Sequence, residues 1–422
     1  MALGPSSPFR SLRYRNARLF FGGLLVSNVG TWLQMTAMGI LVYRLTGKAT
    51  DLGLTVLFQF LPMLLIGAWA GAVADRVDRR KMSIATQSAL AAQALVLGIV
   101  DLAGWATVPI IYALSLVLGV VNAFDNPARR GFVTELVPRP DIPNAVSLNT
   151  AVMTGSRIFG PALAATLVGP LGTGWCFILN GVSFAAVILT LVMVRPSELY
   201  PMAPSPRGGT PVRDALRFVA RHPTVRVLFL VLVVVSTFAF NYAVSLPKLA
   251  ADQWGDVNLY GWVLAVTSVG SVTGSLLTAR LREVSTRWFL GNTTLLGASA
   301  IALAFAPNIV VAYTLAIPLG IGGAGFMTSV NAISQQESPD DMRSRLMALS
   351  AVAFLGSTPI GGPITGLIAD HVGSTWALAY GGVITLGCVA WAIVALGPRP
   401  ATVGGHGAAD AAMVAPDAGR AG

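Results

Sequence analysis

The residues best able to do chemistry in this chain are charges set in or beside apolar runs. Asp75 and Arg76 lie together in GAVADRVDRRK, residues 71–81, with Arg79, Arg80 and Lys81 following; Asp125 and Arg129 lie four apart in FDNPARRGFVTELV, residues 124–137. On a helix that spacing is about one turn, so acid and base can pair. Such a pair at 4 Å is worth ~4 kcal/mol at an effective dielectric of 20, less once desolvation is counted. Asp125 has two readings: one member of a network with Arg76, Arg79 and Arg129, or a static pair at a helix end. Arg157 stands alone. It falls about a dozen residues into an apolar run, roughly 18 Å from its end, where a cation costs at least ~2.5 kcal/mol and is by default a functional candidate. It is either a structural arginine bonded to helix carbonyls or to Asn28 or Gln34, or a cation that binds an anionic group or modulates a neighbouring acid.

Other chemistry is poorly supplied. Gly47-Lys48 is followed by Ala49 and lacks the upstream glycine of a nucleotide-binding loop. The three histidines, His222, His371 and His406, are far apart and fall in loops or the tail. Cys176 and Cys388 offer neither a disulfide framework nor metal-ligand spacing. The expectation is no enzyme, no cofactor and no metal. None of the 18 Asp and Glu falls near the centre of an apolar run, so no acid stands out as a proton carrier.

The elements that position these residues follow from composition. Of 422 residues, 54% are hydrophobic and 11% charged, with a mean hydropathy of +0.70, outside the range of soluble domains. Apolar stretches of roughly 18 to 27 residues, each able to cross a core ~30 Å thick as a helix, fall near 18–44, 51–74, 82–102, 107–128, 145–168, 173–194, 225–247, 258–279, 288–305, 309–331, 346–369 and 375–396. An all-α membrane protein of twelve spans is expected. Its organisation reads as an N-terminal arm (1–17), a six-helix bundle (18–194), a proline-rich linker (195–224), a second six-helix bundle (225–396) and a disordered tail (397–422). Pro127 is expected to end or bend the fourth span.

Translocated loops are depleted of positive charge. With arm, linker and tail in the cytoplasm, all 28 Lys and Arg except Arg44, Lys48, Lys248 and Arg157 fall on the cytoplasmic side. That asymmetry explains the net charge of +10 without nucleic acid, and it also gives Arg79, Arg80 and Lys81 a simple orienting role. No removable signal peptide is expected.

The halves echo each other: Gly160-Pro161 in span 5 is matched by Gly362-Pro363 in span 11, and Trp175 by Trp376. With SNVGTWLQ (27–34), GAVADRVDRRK, FDNPARRGFVTELV, PNAVSLN (143–149) and SRIFGPALA (156–164), the chain resembles the major facilitator superfamily over nearly its whole length, and within it the drug:proton antiporter-3 branch of enterobactin-exporter-like and macrolide-efflux-like proteins. Asp78 departs from the usual glycine of the 71–81 signature.

The resemblance implies two pseudo-symmetric six-helix bundles and proton-coupled export of a small amphipathic molecule by alternating access, from the cytoplasmic membrane, as a monomer. Partners are then the lipid bilayer, the substrate and protons. It implies a cytoplasmic gate of Gly71, Asp75, Arg76, Arg79, Arg80, Asp125 and Arg129, with Asp75 set against the start of span 11 near residues 344–347, where unpaired N–H groups favour a carboxylate. A cavity wall is expected from Asn28, Trp32, Gln34, Met35, Arg157, Phe240, Asn241, Tyr242 and Asn331. Gly155, Gly160, Pro161, Gly362, Pro363 and Gly366 are expected to permit close helix packing and bending. Two other readings are a lysophospholipid flippase and a membrane receptor or scaffold without turnover.

Overall fold

A computed structural model describes residues 7–201 and 211–396. Its helices are α1 (Arg15–Thr46), α2 (Ala49–Ala74), α3 (Arg79–Leu102), α4 (Val108–Glu135), α5 (Ile142–Leu171), α6 (Thr173–Met193), α7 (Pro211–Arg221), α8 (Pro223–Phe238), α9 (Tyr242–Trp254), α10 (Leu259–Ala279), α11 (Thr286–Ala304), α12 (Ile309–Gln336), α13 (Asp340–His371) and α14 (Ser374–Ala395). Among the described residues there is no strand, and ten helices are individually long and apolar enough to span a bilayer. Large apolar side chains such as Leu65, Trp69, Phe159, Leu189 and Val394 remain exposed, as a lipid-facing surface requires. This is a multi-pass membrane protein.

Local chemistry sets many of the ends. Gly47, at φ +64°, closes α1 in the left-handed conformation that a side chain disfavours. The side chain of Asp78 accepts from the Lys81 amide and caps α3, which gives the acid at that signature position a local role. Ser285 caps α11 and Asn308 caps α12 in the same way.

Three features differ from the apolar pattern. The seventh expected span is broken between Phe238 and Tyr242, because Asn241 folds its amide back onto the Thr237 carbonyl (2.6 Å) while α13 presses Gly361 against the same spot. Pro127 does not end α4, which runs on to Glu135. The proline removes one backbone bond, and the following turns are anchored by the buried Ala128, Phe132 and Val133. The linker contains α7, whose Ala215 and Phe218 are buried and whose axis turns 114° into α8. The expected tail lies outside the described residues.

α1 packs on α5 and α6, α3 on α4 and α6, and α2 on α4; further along the chain α10 packs on α12, α11 on α12 and α14, and α13 on α8 and α14. The two sets meet mainly where α2 crosses α13 and where α5 crosses α10. Small residues set those approaches. A Cβ on Gly53 would lie 2.5 Å from the Gly362 carbonyl oxygen, and one on Gly366 2.5 Å from that of Ala49. Gly160 seats α5 on Trp32 and Leu33 of α1 with no room for a Cβ. Gly160→Val is therefore expected to cost about 1–3 kcal/mol by overpacking, read as a lower unfolding midpoint of the purified protein in detergent. An unchanged midpoint would contradict that packing.

Candidate functional site

The arginine-rich end carries two separate charge clusters. On the surface, Asp75 is largely exposed and reaches only Arg79 of its own loop (3.4 Å), while Arg79 turns to Glu135 at the end of α4 (2.9 Å). Arg80 donates to the carbonyls of Leu191 (2.7 Å) and Val192 (2.9 Å), closing the end of α6, where the dipole favours a cation. Gly71 supplies the carbonyl that accepts from the Asp75 amide. Arg76 is exposed. No described bond joins Asp75 to positions 344–347 of α13.

Deeper, Asp125 is 2% exposed. One of its oxygens accepts from Thr86 Oγ1 (2.7 Å) and Gln87 Nε2 (2.8 Å), and the other faces Arg129 Nε at 3.4 Å. Arg129 also donates to Asn126 (3.1 Å) and to Asn28 Oδ1 on α1 (3.3 Å). The acid is thus clamped between α3 and α4. The network reaches α1 through Arg129, and Arg79 belongs to the surface cluster instead.

At mid-height, α5 meets α1 through Gly160 and α10 through Pro161 and Ala165. Arg157 precedes these contact positions by one turn and falls between them on the helix face, opposite the exposed Phe159. It is crowded by atoms of the neighbouring helices, yet its side chain is exposed. Its guanidinium carbon sits 5.0 Å from the centroid of the Trp32 ring. No described carboxylate, amide or carbonyl bonds to it. Asn28, one turn before Trp32, has a buried Nδ2 with no partner.

Not every expected wall residue faces this space. Gln34 is 3% exposed and bonds Gln93 (3.1 Å) and Asn180 (2.7 Å), so it ties α1 to α3 and α6 inside the first bundle. Asn241 is likewise spent on the break between α8 and α9. Phe240 belongs to an aromatic group with Tyr242, Phe326 and Phe354, and Tyr242 Oη is buried without a partner. Asn331 accepts from Ser350 (2.9 Å), and Met35 is half-buried. Gly155 has open space where a Cβ would stand.

The opposite end was not singled out from sequence. There Asp370, at the close of α13, accepts from the Ala49 amide (2.9 Å), the Thr50 amide (2.8 Å) and Thr50 Oγ1 (2.7 Å) at the start of α2, with Lys248 Nζ at 3.4 Å. Nearby, Arg44 reaches Asn258 (3.0 Å) and Tyr43 reaches Asp252 (3.4 Å). Every described hydrogen bond or ion pair between α1–α6 and α8–α14 lies at this end. Asp370, about two turns beyond the Gly362-Pro363 pair, could have signalled a cap, but not which helix it caps.

Comparison with known proteins places this arrangement. Residues 5–402 match the sequence profile described as "Transmembrane secretion effector". The chain is 20% identical over 374 residues to the staphyloferrin A transporter of Staphylococcus aureus, covering 87% of this chain and 93% of that one. It is 26% identical over 376 residues to a multidrug efflux pump of Mycolicibacterium fortuitum, covering 83% and 88%. A solved structure of a bacterial homologue of the human lysosomal transporter Spinster, inward-facing and unoccupied, superposes with a TM-score of 0.67 at 15% identity, over 90% of this chain and 95% of that one; this likeness bears on the fold alone.

Proposed function

The chain belongs to the transmembrane secretion effector family of the major facilitator superfamily, and from that premise we propose that it exports a small amphipathic molecule by alternating access, driven by proton influx. The bundles at 18–194 and 225–396 rock about a central site, with the 195–224 linker, both termini and the arginine-rich end in the cytoplasm. A single observation carries the reading: the described polar contacts between α1–α6 and α8–α14 are confined to one end, while at the other no described bond joins Asp75 to α13. That is the form of a transporter closed outside and open inside. In the reverse state Asp75 docks on the N–H groups at the start of α13, and the clamp at Asp370 opens. One proton entering down a potential supplies ~2.3 kcal/mol per 100 mV.

The test is everted vesicles containing the protein, acidified inside, with recovery of a pH-sensitive dye followed on addition of a siderophore, a macrolide or ethidium. Cargo-dependent loss of the gradient is expected, and its absence for every cargo would remove the exporter assignment. Asp75→Asn should insert normally yet reduce that signal by about tenfold or more, because the amide loses up to ~2 kcal/mol of charge–dipole attraction in the reverse state. Normal flux in that variant would sink the gate role.

A further inference from the structure

Taking the exporter reading as its frame, we infer that Arg157, Asn28 and Trp32 form an anion-binding site in the translocation path, and that the cargo is an organic anion with an apolar or aromatic body. An unneutralised cation at mid-membrane is costly, and natural chains normally pair it. Here the pairing is missing: Arg157 has the face of Trp32 at 5.0 Å and no carboxylate among the described residues. Asp125, the buried acid of the network that reaches Asn28, is already spent on Thr86, Gln87 and Arg129.

The second observation is independent. Arg129 takes the Asn28 oxygen (3.3 Å), which turns the Asn28 Nδ2 away as a buried donor without an acceptor. Among the described groups, the guanidinium beside the Trp32 ring and the buried Asn28 amide one turn away are donors without an acceptor. Such a set is satisfied by a carboxylate or phosphate oxygen, and a guanidinium favours planar or bidentate acceptors. The cation–π contact holds the guanidinium against the ring and keeps its fork available. One further feature suits the rest of the cargo: on the other set of helices the half-buried Phe240 packs against Tyr242, Phe354 and the fully buried Phe326, an apolar cluster. The structural alternative, an arginine bonded to Asn28 or Gln34, is not what the chain adopts: no described hydrogen bond joins Arg157 to either, and each amide oxygen already accepts from another donor.

The full-length protein in nanodiscs of phosphatidylcholine, titrated with 1-pyrenebutyrate and with 1-pyrenebutyramide, tests this through energy transfer from tryptophan to pyrene. The carboxylate should bind about tenfold or more tighter than the amide, the size expected of a charge-assisted bond. Arg157→Gln should abolish that preference, and Arg157→Lys should restore part of it. Equal affinities in the wild type, no carboxylate binding at all, or an undiminished preference in a monodisperse Arg157→Gln protein would each overturn the site. Lysophosphatidylglycerol and benzoate as competitors separate the sources: displacement by the former alone assigns the anion to a lipid headgroup, and by the latter to a free organic acid. Vesicle flux is read separately. Carboxylate binding without proton-linked flux would sink the exporter reading alone, and proton-linked flux without carboxylate preference would sink the anion site alone.

Discussion

Asp370→Ala is expected to move the protein from the state described here toward its reverse, with the arginine-rich end closed. The carboxylate accepts three hydrogen bonds of 2.7–2.9 Å from Ala49 and Thr50 and has Lys248 at 3.4 Å. Two of those donors are backbone amides of the first turn of α2, which have no partner within their own helix. A carboxylate there gains from both the free N–H groups and the helix dipole. Bonds to a charged group are worth ~1.5–3 kcal/mol each against an unfilled donor, and water that enters when the end opens recovers part of this. A net bias of about 2–3 kcal/mol is reasonable, and it shifts a two-state population by roughly 30- to 150-fold. Spin labels at the exposed positions 77 and 282, on loops of the two halves at the arginine-rich end, would report a shorter distance in the variant. An unchanged distribution would show that this clamp does not hold the end shut. Lys248→Met should have a smaller effect, because the lysine's two polar contacts, to Asp370 and to the Gly47 carbonyl, are both long at 3.4 Å.

Sequence carried the helices and their order further than it carried their breaks. Ten spans declare themselves because each is a long, predominantly apolar run with few charges, and a bilayer leaves such a run no alternative to a helix. The interruption at residues 239–241 lies inside an apolar run, so hydropathy passes over it. It depends on Gly361 arriving from another helix. Pro127 misled in the opposite direction, since the penalty for a proline is local while Phe132 and Val133 are held by packing that only the fold brings together. α7 was legible in principle: Ala215, Phe218 and Val219 recur at helical spacing within a stretch read mainly for its prolines.

Charges followed the same rule. Arg129 was found for Asp125 because it is one turn away, whereas Thr86 and Gln87 come from another helix. The signal for them was a polar stripe, Ser83, Thr86, Gln87 and Gln93, at a spacing that marks one buried face of α3. Asp370 was visible as an acid at a span end, but a cap on a helix hundreds of residues earlier is a property of the assembled molecule.

Asp125→Leu should be among the most damaging single changes in the chain, and its size depends on Arg129. Leucine removes the acceptor for Thr86 Oγ1 and Gln87 Nε2 and leaves a guanidinium only 13% exposed with no counter-charge. Breaking a buried pair in this way costs ~3–5 kcal/mol, most of it the uncompensated charge. Removing both charges is different. In Asp125→Leu with Arg129→Leu the buried cation is gone as well, so the double variant should recover about 2 kcal/mol or more against the sum of the singles. Unfolding midpoints in detergent for the four proteins give that coupling directly, and strict additivity would mean the pair at 3.4 Å carries no interaction. Asp125→Asn separates charge from shape. It keeps the shape and an oxygen for Thr86 but removes the charge, releasing Arg129 toward Asn126 and Asn28. Because Arg129 sets the orientation of the Asn28 amide, loss of the Asp125 charge reaches the Arg157 site through two hydrogen-bonded side chains. The variant should therefore insert and unfold below the wild-type midpoint but above that of Asp125→Leu, because Thr86 keeps an acceptor while Arg129 loses its counter-charge; a midpoint equal to the wild type's would show that the Asp125 charge does not stabilise Arg129.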